Sequence, residues 1–227
     1  MWAKWCKFVI AVLLLPACWG AARALYRVLL ANGGADTVWV PLLAGAACWG
    51  AVFCLLPRPM WLYVVGHELT HAVWTWLFGG RVTRFRASAQ GGHVLVTKSN
   101  FLVALAPYFF PFYAVLVVAL FGAGTWFLGW AAYRVWFHLL LGAAYAFHVS
   151  LTWQILQVRQ TDITSQGYLF SAVIIFLGNV LTLLVAVPLL TGQTEWWIGL
   201  DWWWRETADT VGLLARWLAL QAPRIHL

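Results

Sequence analysis

The chain has 227 residues, 63% of them hydrophobic and only 9% charged. A soluble domain carries about 25% charged residues, so composition excludes an ordinary soluble fold. The net charge of +7 is spread along the chain without a dense basic block, which fits anionic lipid headgroups and argues against nucleic acid as a partner.

The apolar runs predict an all-α polytopic membrane protein, with about six transmembrane helices of the roughly 20 residues that cross a bilayer. Residues 1–30 open with Lys4 and Lys7, continue as an apolar run from Phe8 to Gly20, and close with Arg23 and Arg27. Ala22-Arg23-Ala24 has the form of a signal-peptide cleavage site. The rest of the chain is membrane-embedded in any case, so a retained first helix is the expectation. Asn32-Gly33-Gly34 is a loop, and Thr37 to Leu56 is a second span ended by Pro57-Arg58-Pro59. Cys6, Cys18, Cys48 and Cys54 form no CxxC pair and read as small buried apolar residues.

The third span, Met60 to Phe78, carries His67-Glu68-Leu69-Thr70-His71. Positions i and i+4 share a helix face one turn apart. Two imidazoles so placed can grip one Zn²⁺, with the intervening glutamate beside the metal as a general base. An ionisable group at bilayer depth costs roughly 2.5–3.5 kcal/mol, so three polar groups in one apolar turn call for a compensating partner. A divalent cation supplies it; the alternative is two buried histidines bonded to neighbouring helices.

Gly79-Gly80 ends this helix, and a small β-hairpin is expected next. Val82 to Ala87 alternates across two faces, Gln90-Gly91-Gly92 turns, and His93 to Thr97 returns. The hairpin reads either as a basic surface loop or as an edge strand that receives an extended peptide, with Val94, Leu95 and Val96 on the receiving strand. Arg81, Arg84, Arg86 and Lys98 make it the most basic loop, which puts it on the cytoplasmic side.

Phe101 to Phe121 is the fourth span, and Pro107 and Pro111 should kink it or free backbone carbonyls. The fifth, roughly Trp130 to Trp153, holds His138 and His148. Ten residues of helix separate them by about 15 Å, so both cannot reach one metal. Each reads as a hydrogen-bonded interior histidine. A polar stretch follows, Gln154 to Gly167, where Asp162 is the only acidic residue between Glu68 and Glu195. From the residues alone, Asp162 is either a third metal ligand or a loop or helix-capping carboxylate. Tyr168 to Leu190 is the sixth span, with Asn179 near its middle. In the tail, Asp201, Arg205, Asp209 and Arg216 share one face opposite Trp203, Trp204, Val211, Leu214 and Leu218. That pattern is an amphipathic helix lying in the membrane interface.

The HExxH helix, the hairpin after it, the proline-broken span and the downstream Gln160-Thr161-Asp162-Ile163-Thr164-Ser165-Gln166-Gly167 together resemble the site-2 protease family of intramembrane zinc metallopeptidases, over about residues 60–180. The resemblance implies an integral membrane metallopeptidase-like domain over 1–190 and an interfacial tail over 191–227. It implies Zn²⁺ held by His67, His71 and Asp162, with Glu68 as the catalytic base that moves a proton from water to the leaving amine. The substrate would be a membrane-anchored protein whose locally unwound transmembrane segment lies along the 82–97 hairpin. A bacterial cytoplasmic membrane is the implied location. The competing expectation is a non-proteolytic membrane protein, either a metal transporter or a catalytically silent relative that acts by binding.

Overall fold

The computed structural model describes residues 2–88 and 91–221. It is mostly helical, with one two-stranded antiparallel hairpin. Among the described residues, three helices are long and apolar enough to cross a membrane, or up to five spans if each of two bent helix pairs counts as one. Such helices point to an integral membrane protein. The chain divides into two compact units.

One unit joins the N-terminal residues through Ala35 with those from Gly167 onward. It holds α1 (Trp2–Leu13), α2 (Leu15–Ala31), α9 (Tyr168–Thr191) and α10 (Ile198–Gln221). α1 and α2 meet at a 43° bend. Pro16 sits in the first turn of α2, where its missing N–H costs nothing. Small residues let the helices approach closely: Ala21 and Ala24 of α2 are fully buried. A polar knot closes one end, where Asn32 donates to Val28 O at 2.9 Å and to Thr194 Oγ1 at 3.0 Å.

α10 packs on α2. Glu206, which the amphipathic pattern did not single out, is 7% exposed and pairs with Arg23 at 2.8 Å and Arg27 at 3.1 Å. Arg27 also stacks on Trp202. The polar face read from the sequence is present, with Arg205 bonded to Asp201 at 2.8 Å. Trp204, Val211, Leu214 and Leu218 stay exposed. Asn179 of α9 donates to the carbonyl of Ile175 four residues back.

The other unit, Asp36–Gln166, holds α3 (Asp36–Leu55), α4 (Met60–Leu77), β1 (Val82–Ser88), β2 (Gly91–Val96), α5 (Phe101–Leu105), α6 (Phe112–Leu128), α7 (Arg134–Leu156) and α8 (Thr161–Gln166). α3 and α7 lie backbone to backbone: Gly45 meets the carbonyl of Leu139, and Gly142 meets that of Leu42. A side chain at either glycine would force the helices apart. Tyr63, Val64, Phe147 and Leu151 form the apolar core that joins α4 to α7.

The hairpin packs against α4, with Phe85 opposite Val94, Arg86 opposite His93 and a bulge at Thr83. Of the turn expected at Gln90-Gly91-Gly92, Gln90 lies outside the described residues, while Gly91 and Gly92 belong to β2 and pair with Ser88 and Ala87. Pro107 and Pro111 break the fourth apolar run at an 81° bend between Phe101–Tyr108 and Phe112–Leu128.

Among the described residues, three to five of the six expected spans stand as candidates by length and composition, and α4 is not one of them. Its His-Glu-His turn and threonines lower its apolar content, and its Gly66, Glu68, Thr70, His71, Ala72 and Thr75 are buried. One expectation needs correction. The cysteines are not buried core residues: Cys6, Cys48 and Cys54 are exposed and Cys18 is half-buried.

Candidate metal centre

α4 brings His67, Glu68 and His71 to one place by helix periodicity. The other groups come from elements distant in sequence. α8 begins one turn beyond the end of α7, where Gln160 Nε2 donates to Ile155 O at 3.1 Å and pins the connection. This places Asp162 in the first turn of α8. Its Oδ2 lies 3.5 Å from His67 Nε2 and 3.5 Å from His71 Nε2. The three candidate ligand atoms lie within 4.8 Å of one another.

These distances fit zinc. Ligand atoms about 2.0–2.2 Å from a tetrahedral ion stand roughly 3.3–3.6 Å apart. The donor chemistry fits as well. His71 Nδ1 lies 2.8 Å from the carbonyl of Val103, so an oxygen acceptor faces each of its ring nitrogens. A neutral imidazole has one N–H to offer. With that proton given to Val103, a cation between Nε2 and Asp162 satisfies both sides.

The Val103 acceptor is available because of a proline. In a continued helix its carbonyl would take the N–H of residue 107, and Pro107 has none. Asn100 caps α5, accepting from Val103 N at 2.9 Å, and so fixes where that carbonyl falls. The proline break expected to free a carbonyl therefore frees the one that orients His71.

The 3₁₀ turn Ala106–Tyr108 that follows carries a group the sequence reading missed. Tyr108 is 1% exposed. Its ring lies edge-on to His67 at 5.3 Å, and its hydroxyl donates to Asp162 Oδ2 at 3.1 Å. A phenol set between two prolines that break a span is the signal that could have found it. Burial alone would raise the Asp162 carboxyl; hydrogen bonding to His67 and His71 outweighs this and holds it well below the usual carboxylate range. The carboxylate is therefore ionised and ready for a cation.

His67, Glu68, His71 and Asp162 line a cavity of about 450 Å³, within the range of roughly 300–1,000 Å³ typical of ligand sites. Glu68 is 7% exposed and stands outside the ligand group. Gly92 of β2 makes room for it, since a Cβ there would come within 2.7 Å of Glu68 Cγ. Val94 and Val96 line the cavity along with Gly92. Leu95, grouped with them from the sequence, is half exposed and does not line it. His138 and His148 are buried on α7 and lie outside the ligand group. Comparison with known protein families, curated proteins and solved structures finds no match to the chain.

Proposed function

We propose that the protein is an intramembrane zinc metallopeptidase that hydrolyses peptide bonds in or near the transmembrane segments of membrane-anchored proteins, in the manner of the site-2 proteases it resembles. The observation that carries this is the position of Asp162 Oδ2, 3.5 Å from both histidine Nε2 atoms, across a gap of 90 residues from the HExxH turn. In this reading α4 also crosses the bilayer, giving six crossings, and the site belongs to a bacterial cytoplasmic membrane.

The three side chains would hold Zn²⁺ and leave a fourth position toward the cavity. When bound, the ion supplies a Lewis acid and an activated water. Glu68 takes the proton of the attacking water on its carboxylate and returns it to the departing amine nitrogen. Its burial beside Gly92 keeps bulk water from competing for that proton. Tyr108 steadies the Asp162 carboxylate through its hydroxyl.

Among the described residues β2 pairs with β1 alone, so its other edge can take an extended segment of substrate as an added strand. Val94 and Val96 then meet its side chains within the cavity. A helical peptide bond is shielded by its own helix, so the substrate must unwind before it can lie there. The anionic bilayer is the second partner, through the exposed Arg84 and Arg86 of the hairpin.

Glu68→Gln separates the roles. It should retain zinc while hydrolysis of a single-span substrate in proteoliposomes falls by about 10²–10⁴-fold, the usual contribution of a general base. Hydrolysis at the wild-type rate would remove the mechanism. A zinc-flux measurement on the same liposomes distinguishes transport: flux without cleavage would favour a transporter.

A further inference from the structure

His67 also lines a second, smaller cavity. Its volume is about 20 Å³, and His67 and His148 both line it. A water needs roughly 10–15 Å³ of such space and two to four polar partners. Two buried atoms in this lining have no hydrogen-bond partner among the described residues: His67 Nδ1 and His148 Nε2. His148 is 7% exposed. The hydroxyls in the lining are engaged elsewhere. Thr70 donates to Gly66 O at 2.7 Å, Tyr113 donates to Leu62 O at 2.6 Å, and Tyr63 meets Thr152 at 3.4 Å.

The chemistry of the pair is complementary. With Nε2 of His67 given to the metal, the ring proton sits on Nδ1, so this nitrogen is a donor. His148 Nε2, with its proton on the other ring nitrogen, is an acceptor. Metal-bound histidines almost always donate their second N–H to a carbonyl, a carboxylate or a water. His71 has Val103 for that purpose, and His67 has no direct acceptor among the described residues.

We propose that the small cavity is a built water site, and that His148 is the positioning residue that holds His67 through it. His67 Nδ1–H donates to the water oxygen, and the water donates to His148 Nε2. The second water proton would go to the hydroxyl oxygen of Thr70 or Tyr113, which line the same cavity. The tautomer and ring plane of His67 are then set by a residue 81 positions away, on α7. This inference rests on the zinc reading of the site.

The test is zinc affinity of the full-length protein in detergent, by competition with a chromophoric chelator. His148→Phe removes the acceptor and fills the space, and should weaken zinc by about 10–100-fold, as loss of a group bracing a metal ligand does. His148→Gln keeps an acceptor and should recover most of that loss. His138→Phe, a change at a buried histidine outside the cavity, should leave affinity unchanged. A second measurement needs no variant: in zinc-loaded wild type, the His67 Nδ1 proton should exchange slowly and show a magnetisation-transfer peak to a bound water. Unchanged zinc affinity in His148→Phe, no recovery in His148→Gln, or a fast-exchanging His67 proton would each overturn the proposal. Wild type that binds no zinc would overturn the metal reading itself, a result distinct from zinc binding that ignores position 148.

Discussion

On Asp162, a single carboxylate oxygen meets His67, His71 and the Tyr108 hydroxyl. Two of these are candidate co-ligands, and the third braces the carboxylate. The roles predict different losses. Asp162→Ala deletes a ligand and should reduce zinc affinity by more than about 100-fold, the upper end of what bracing groups contribute. Tyr108→Phe keeps the ring against His67 and removes one hydrogen bond, so its loss should stay within about 10–100-fold. Isothermal titration of both variants with zinc checks the order. Equal affinity in wild type and Asp162→Ala would end the ligand assignment, and a Tyr108→Phe defect as large as that of Asp162→Ala would mean the phenol is itself a ligand.

At the scale of elements, the proline break is what turns an apolar run into part of a site. α5 is five residues long, and a helix so short is stable here because Asn100 caps it and α4 packs against it. Pro107 leaves the Val103 carbonyl to His71. Pro107→Ala returns an N–H that can claim this carbonyl through an ordinary i→i−4 bond. Zinc affinity should then fall, and the His71 Nδ1 proton should exchange faster in hydrogen-exchange NMR. An unaltered His71 proton in that variant would show that the break serves only the bend. The hairpin works through register. A slip of β2 that moved each residue one position back would bring Leu95 to the place of Val94 at the cavity wall and His93 to the place of Gly92 beside Glu68.

For the whole molecule, the ligands come from α4 and α8, and their supports come from α5 and the turn after it. All belong to the unit Asp36–Gln166. A metal there ties segments about 90 residues apart. Bound zinc at 100 times its dissociation constant adds about 2.7 kcal/mol to folding stability. Stripping the protein with a chelator should therefore lower its thermal midpoint, and zinc, not magnesium, should restore it. His67→Ala should unfold at the same temperature with or without the chelator. A chelator shift that persists in His67→Ala would place the stabilising metal elsewhere.

The sequence by itself determined what is local or compositional. It settled the apolar helices and the hairpin after α4, since these depend on periodicity and turn residues within a few positions. It put His67, Glu68 and His71 on one helix face, because a spacing of four residues leaves a helix no other choice. It also marked Pro107 and Pro111 as a break, because a missing N–H is written in the residue itself. Only the tertiary structure decided which long-range groups meet. No spacing in the sequence puts Asp162 beside the α4 histidines; the packing of α8 brings it there. Tyr108 and Glu206 drew no role as partners, because packing between distant helices selects them and no spacing encodes it. The exposure of the cysteines went astray for the same reason. Hydropathy reads what a residue is, while burial depends on what the rest of the chain brings beside it.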